Sequence, residues 1–224
     1  MSQVVERIVS SCAAAGLDLN ATSSVGSYNA VVDRPFHLPG ADDSLTIVVG
    51  NTRAIWPHIG EFVRAQPSPP PDPVDTYVES VIRSATSGCT ELIDVRYAHE
   101  SPPRRIAIQR LAHVAGLAWL SPSHLCIHPT FGPWIALRAA IVLDMPAPPA
   151  RQPLAAPCDC ASACAPLLAE ALAAAERVDS ASVRSSWRRW LAMRDACPVG
   201  RRHRYDDDQI EYHYIGTTPS DWTS

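Results

Sequence analysis

Hydrophobic positions along the chain fall into segments of distinguishable period. Over residues 2–15, Val4, Val5, Ile8, Val9 and Cys12 recur at the spacing of one helix face. Residues 22–32 carry β-branched and aromatic side chains without that period and predict a strand. Leu45-Thr46-Ile47-Val48-Val49, inside residues 43–50, is a continuous run of buried-strand type. Asn51 and Thr52 can cap a helix running to about Ala65. Further helices are expected over 75–84, 104–120, 161–178, 182–197 and 206–214, and strands over 91–97, 125–128 and 134–144. Proline-rich stretches at 67–73 and 146–157 read as connectors, and residues 216–224 as a frayed, flexible tail. No repeat is visible, and the βαβ spacing of a parallel sheet is missing. The pattern predicts a single α+β domain over residues 1–215, with helices packed on a central sheet.

Composition narrows the chemistry. At 46% hydrophobic over 224 residues the chain can bury a substantial core. All 19 of its Lys+Arg residues are arginine. Schiff-base chemistry on lysine is therefore excluded, as are a P-loop lysine and a kinase-type ATP lysine. Codon bias in a GC-rich genome accounts for the origin of the pattern, and the exclusions hold regardless. An anion must be held by arginine forks, helix N-termini or backbone amides, and the planar fork suits carboxylates and phosphates. The net charge of −4 offers no basic field for nucleic acid. No run approaches the roughly 18 apolar residues of a membrane span. An early Glu6 with no apolar stretch behind it argues against a secretory signal and for a cytoplasmic location. Seven cysteines, an odd number, read as thiols rather than a disulfide framework.

Two arginines stand in unusual company. Strict alternation along 134–144 would put Arg138 on one face with Trp134 and Ala136. A charge in so apolar a strand needs either a buried carboxylate or a wet cavity. Trp187, Trp190 and Arg194 share one face of their helix, as core or as a binding surface. His113 and Gly116 share another, where a mid-helix glycine leaves room for a close approach. Cys158, Cys160 and Cys164 form C-x-C-x₃-C, followed by Cys197-Pro198. They read as incidental thiols, a redox disulfide, or a Zn or iron site.

Several segments together resemble the cblC-type cobalamin-processing family, named for the methylmalonic aciduria and homocystinuria disorder. They are Tyr28-Asn29 with Phe36-His37-Leu38-Pro39, Asp72-Pro73-Val74-Asp75, and Ala112-His113-Val114-Ala115-Gly116. Then follow Cys126-Ile127-His128-Pro129 with Phe131-Gly132, Trp134, Ala136 and Arg138, and finally Arg194-Asp195 and Arg204-Tyr205 with Gln209 and Tyr212. The ordered set spans about residues 20–214. The resemblance implies a modified nitroreductase-like fold, with a central antiparallel or mixed sheet flanked by helices. It also implies removal of the upper ligand of cobalamin, by glutathione-dependent dealkylation or by reductive decyanation with FMN or FAD.

By the same resemblance, Arg138 and Arg194 hold the carboxylates of glutathione, facing one cavity. Ile106, Gln109, His113 and Gly116 approach the corrin, together with Trp119, Cys126 and Tyr205. His124 replaces a family glycine and could ligate cobalt or another metal, or lie on the surface. The excursion the family carries before the Cys-Ile-His-Pro strand is shortened here to residues 117–125, which reduces the lid over corrin or flavin. Partners implied are the cofactor, a thiol and a downstream cobalamin-accepting protein, with the chain a monomer or weak homodimer. A non-catalytic carrier and a paralogue repurposed as a metal-dependent oxidoreductase are the alternative readings.

Overall fold

The computed structural model describes residues 2–149, 151–152, 154–174 and 180–222. Among them, β1 (Leu19–Ser24), β2 (Ser44–Asn51), β3 (Leu92–Tyr97) and β6 (Ala136–Pro146) form an antiparallel sheet in the order β1-β2-β6-β3. A small ribbon pairs β4 (Trp119–Leu120) with β5 (Cys126–Ile127). The period-two pattern of the central strands explains the layering. Leu45, Ile47 and Val49 of β2 and Ala139, Ile141 and Leu143 of β6 face α1 (Gln3–Ala14), α3 (Trp56–Arg64) and α4 (Pro73–Ala85). Val48, Ala140 and Val142 face the other way, onto α2 (Val25–Asn29) and α5 (Ile108–Val114). The α+β architecture, a sheet flanked by helices, thus has both faces covered. The remaining helices are α6 (Cys160–Ala163), α7 (Ala165–Ala174), α8 (Ser180–Ser185), α9 (Trp187–Ala196) and α10 (Asp207–Ile215). Among the described residues, no helix is long and apolar enough to cross a membrane.

Several expectations need correcting. The strand expected over 22–32 ends at Ser24, whose hydroxyl accepts from the Ser27 amide and starts α2. Tyr28, fully buried, then accepts from the Ala107 amide and donates to the Phe36 carbonyl, while Asn29 exchanges two hydrogen bonds with Leu38. Side-chain bonding to the backbone outcompetes the ladder there. Asn51 is the last residue of β2 rather than a helix cap; Thr52 caps instead, accepting from the Ala54 amide. The helix expected over 104–120 is confined to α5, because Gly116 adopts φ +69° and turns the chain into β4. Gly116 is therefore not a mid-helix glycine. The segments 161–178 and 182–197 each break into two helices, and residues 175–178 lie outside the described residues, as do Ala150 and Pro153 of the second proline-rich stretch. Within 216–224, expected to fray, Ser220–Trp222 form a 3-10 turn. Trp222 is buried there, 4.6 Å from Trp56 and 5.3 Å from Tyr212 between ring centres. The last two residues of that stretch lie outside the described residues.

One backbone crossing holds the β5–β6 loop against the segment after α9. Gly132 (φ +59°) and Gly200 (φ +72°) face each other so closely that a Cβ on Gly132 would overlap the Val199 carbonyl, and one on Gly200 the Phe131 carbonyl. Gly132→Ala or Gly200→Ala should each lower stability by roughly 3 kcal/mol or more. Gly88→Ala, at φ +68° in open space, should cost only about 1 kcal/mol. Urea denaturation midpoints of the three variants check this, and equal losses in all three would contradict it.

Candidate functional site

The site begins with an irregularity in β6. Val49 of β2 pairs with Ala139, but Gly50 pairs with Leu137. Arg138 is thus the extra residue of a β-bulge, and alternation fails at that point. Leu137 turns toward the layer of α5, with Ile135, whereas Arg138 turns toward α4 and α10. Ile135 and Leu137 thus point away from Arg138, as alternation along 134–138 predicts, and the bulge breaks the pattern only beyond it, where Arg138 and Ala139 share a side. Gly50 permits it, since a Cβ there would press on the Ala136 carbonyl.

The Arg138 guanidinium donates from Nε to Asn51 Oδ1 at 2.7 Å, and Asn51 is itself buried and donates to the Thr52 carbonyl. Arg138 Nη2 is sealed from solvent and has no hydrogen-bond partner among the described residues. Arg138 makes no ion pair among those residues either, so its anchor is a neutral amide and its charge is left uncancelled. Burial lowers the Arg138 pKa, while Asp75, on the same cavity wall, pulls it the other way.

Arg194 arrives from α9. Its Nη2 donates to the Pro133 carbonyl at 2.6 Å, and its guanidinium lies 4.7 Å from the Trp134 ring centre and 5.3 Å from that of Tyr205. Its Nε is also sealed and unpartnered among the described residues. Arg204 approaches Trp134 at 5.6 Å and is neutralised by Asp195 and Asp207, each at 2.9 Å. The basic run 201–204 is thus partly paired.

Between the two unpaired arginines lies a polar layer from the C-terminal segment. The Tyr205 hydroxyl, both amide atoms of Gln209, and His213 Nε2 are sealed without hydrogen-bond partners among the described residues. Burial raises the Tyr205 pKa, with the arginines opposing it. Burial, reinforced by the positive Arg138 and Arg194, lowers the His213 pKa to about 3. Gln209 and His213 sit one turn apart on α10 and so face the same way. Sequence reading passed over His213, and that four-residue spacing after Tyr205 was the available signal.

The arginines open onto different cavities, although one shared cavity was expected. Arg138 lines a polar cavity of about 490 Å³ with Asp72, Asp75, Arg184, Tyr212 and His213, closed at one side by Trp222. Arg194 lines a more apolar one of about 370 Å³ with Gln109, Cys126, Ile135, Leu137 and Tyr214. The polar layer separates them.

Of the residues singled out for corrin contact, Gln109 and Cys126 line the apolar cavity. Gln109 also donates to the His124 carbonyl at 2.8 Å. Burial raises the Cys126 thiol pKa to about 12, which keeps it protonated and suits a wall rather than a nucleophile. Tyr205 is buried in the polar layer. Ile106 packs in the core among Leu19, Val25 and Leu111. His113 accepts from the Leu120 amide, Gly116 meets Arg151, and Trp119 packs near Cys160 and Met193. His124 is exposed with φ +60°, a conformation natural to the glycine it replaces. Trp187 joins Trp134 and Tyr205, whereas Trp190 joins the cluster of Cys160 and Met193. Among the described residues, no group of three or more His, Cys, Asp or Glu stands in ligating positions.

The sequence profile of the Methylmalonic aciduria and homocystinuria type C family matches residues 18–223. The cyanocobalamin reductase / alkylcobalamin dealkylase of Gallus gallus is 33% identical over 188 residues, covering 71% of this chain and 75% of that protein. The Bos taurus protein of the same name is 31% identical over 211 residues, covering 84% and 70%. A C. elegans B12-trafficking protein superposes with a TM-score of 0.66 at 18% identity, over 98% of this chain and 93% of that one. Epoxyqueuosine reductase from Bacillus subtilis gives 0.55 at 10% identity, over 96% and 76%. At those identities the structural likeness speaks for the fold.

The buried imidazole has a consequence for acid stability. The folded-state pKa of His213, about 3, lies below its ordinary 6.5, so the unfolded chain takes up the proton first. Its contribution is complete above pH 6.5 and is lost as pH falls from there toward 3. Denaturation at a series of pH values should show a shallower acid limb for His213→Gln than for the parent. An unchanged slope would contradict the burial of a neutral imidazole.

Proposed function

The chain belongs to the methylmalonic aciduria and homocystinuria type C family, and from that premise we propose that it binds cobalamin and removes its upper axial ligand with glutathione. The carrying observation is the pair of uncancelled arginines, Arg138 and Arg194, around a polar layer whose hydrogen bonds are incomplete among the described residues. Burying an unpaired charge costs several kcal/mol. A ligand that spans the polar layer, bringing one carboxylate to Arg138 from the polar cavity and one to Arg194 from the apolar cavity, recovers that cost through charge-assisted bonds. Glutathione carries two carboxylates and one thiol, so two forks can hold the tripeptide and aim its sulfur. The apolar wall of Cys126, Ile135 and Leu137 suits the flat, greasy face of a corrin.

In the reaction, the thiol gives its proton to solvent and the thiolate attacks the cobalt-bound carbon. The S–C bond forms as the Co–C bond breaks, and the bonding pair stays on cobalt, which falls from cob(III)alamin to cob(I)alamin. The protein's part is orientation and field. Holding nucleophile and carbon in line contributes most of the acceleration. The two positive charges favour the thiolate, and His213, neutral at ordinary pH, adds nothing that opposes anion binding.

The thiol route is preferred to a flavin route because the connector 117–125 leaves little to cover an FMN or FAD ring. Seven free cysteines support a reducing, cytoplasmic setting in which glutathione is abundant.

Methylcobalamin added to the purified protein should show the spectral shift of a detached lower base, then convert slowly to reduced cobalamin once glutathione is added. Arg194→Ala should keep the shift and lose about a hundredfold in turnover. Absence of the shift would overturn cobalamin binding. A shift without turnover would leave a carrier, and unaltered turnover in the variant would refute the arginine's role.

A further inference from the structure

Four of the seven cysteines take no part in the arginine site, yet they converge. Cys158, Cys160 and Cys164 come from the segment opening α6 and α7, and Cys197 from the end of α9. Cys158 Sγ lies 3.1 Å from Cys160 Sγ. Cys197 stands near enough to Cys158, and Cys164 near enough to Cys160, for each to act on the other's thiol pKa. All four are free thiols; Cys160, Cys164 and Cys197 are buried and Cys158 half-buried.

Two further observations concern what surrounds the sulfurs. Ser121 and Ser123, both buried and 2.8 Å apart between hydroxyls in the turn between β4 and β5, stand next to Cys160 and Cys164 and lower their thiol pKa values against burial. Hydroxyls beside sulfur are the kind of outer-shell partner that thiolate ligands use. The hydrophobic cluster at this place is also thin: Cys160, Cys164 and Met193 are its buried members. Sulfur thus stands where an apolar core would otherwise hold α6, α7 and α9 together.

We infer that Cys158, Cys160, Cys164 and Cys197 form a four-thiolate site for a single divalent ion of the zinc class, which pins the α6–α9 arm to the 121–123 turn beside the apolar cavity. A disulfide would join one pair and leave two thiols buried, whereas a tetrahedral ion takes all four. Each ligating thiol releases its proton to solvent, and the protein supplies every ligand, as in a closed structural site. In the structure Cys158 and Cys160 touch, and among the described residues no three of the thiols yet surround a common point. The Cys158–Cys160 contact would open by about 0.7 Å to reach the ~3.8 Å edge of a tetrahedron with 2.3 Å Zn–S bonds. Metal affinity then becomes folding free energy for the arm.

Elemental analysis of the full chain, purified under reducing conditions without chelator, should find about one zinc per chain. Cys164→Ser and Cys197→Ser should each lose it, and Cys89→Ser, away from the cluster, should keep it. Because the ligand variants could misfold, a second measurement uses the wild-type chain stripped by chelator. Added Co²⁺ should produce the visible ligand-field bands of tetrahedral thiolate coordination, and Zn²⁺ should abolish them. A chain that carries no zinc and binds neither ion would overturn the inference. So would iron with acid-labile sulfide, or an intramolecular disulfide among the four.

Discussion

A single extra residue in β6 organises the site. Opposite Val49 and Gly50 the ladder skips Arg138, and the bulge lets Arg138 share the side of the sheet that Ala139 faces. Leu137 goes to the apolar cavity and Arg138 to the polar one. Without the bulge, period-two alternation would drive a guanidinium into one of the two hydrophobic layers, where nothing offers it a partner. With it, Arg138 reaches the Asn51 amide and joins Arg194, Tyr205, Gln209 and His213 in a layer of polar groups. That layer is under-satisfied: sealed atoms on each of its members lack partners among the described residues. A folded chain tolerates few such groups, and their concentration in one place is what supports the proposal that a ligand completes this site.

The rest of the fold serves to hold this layer against its own repulsion. Trp134 lies near both the Arg194 and Arg204 guanidiniums, and Asp195 and Asp207 neutralise Arg204. Arg194 is thereby the cation of that group that keeps its charge. The crossing of Gly132 over Gly200 fixes the height at which α9 and the following segment meet the β5–β6 loop. The Pro133 carbonyl that receives Arg194 sits one residue beyond that crossing. The C-terminal 3-10 turn lays Trp222 on Trp56 and Tyr212 and walls the polar cavity. These are packing constraints, and each acts on the position of one of the two guanidiniums.

How much of this was legible depended on the range of the signal. The runs of β2 and β3 and the apolar stripes of α1 and α4 are local patterns, and they emerge where periodicity places them. Arg138 and Arg194 stood out because charge in an apolar strand and arginine in a tryptophan stripe are conspicuous anywhere. Alternation separates Arg138 from Ile135 and Leu137 correctly but misses the break between Arg138 and Ala139, because a bulge is made by two strands together and Gly50 alone does not announce it. The helix expected to 120 stopped early because Gly116 serves a turn at positive φ, which no spacing rule distinguishes from a mid-helix glycine. Tyr28 and Asn29, conspicuous as a motif, fasten a loop through Ala107, Phe36 and Leu38. His213 escaped notice because its importance comes from two arginines remote in sequence.

The central claim is that the uncancelled arginines are a carboxylate site. Its most direct test is a comparison of thiols in the demethylation of methylcobalamin bound to this protein, glutathione against cysteamine, which has a thiol and no carboxylate. If the guanidiniums hold carboxylates, glutathione should react at least about tenfold faster than cysteamine after correction for thiolate content, since charge-assisted bonds then orient the sulfur. That preference should vanish in Arg138→Ala and Arg194→Ala. Equal rates for the two thiols in the parent protein would contradict the account.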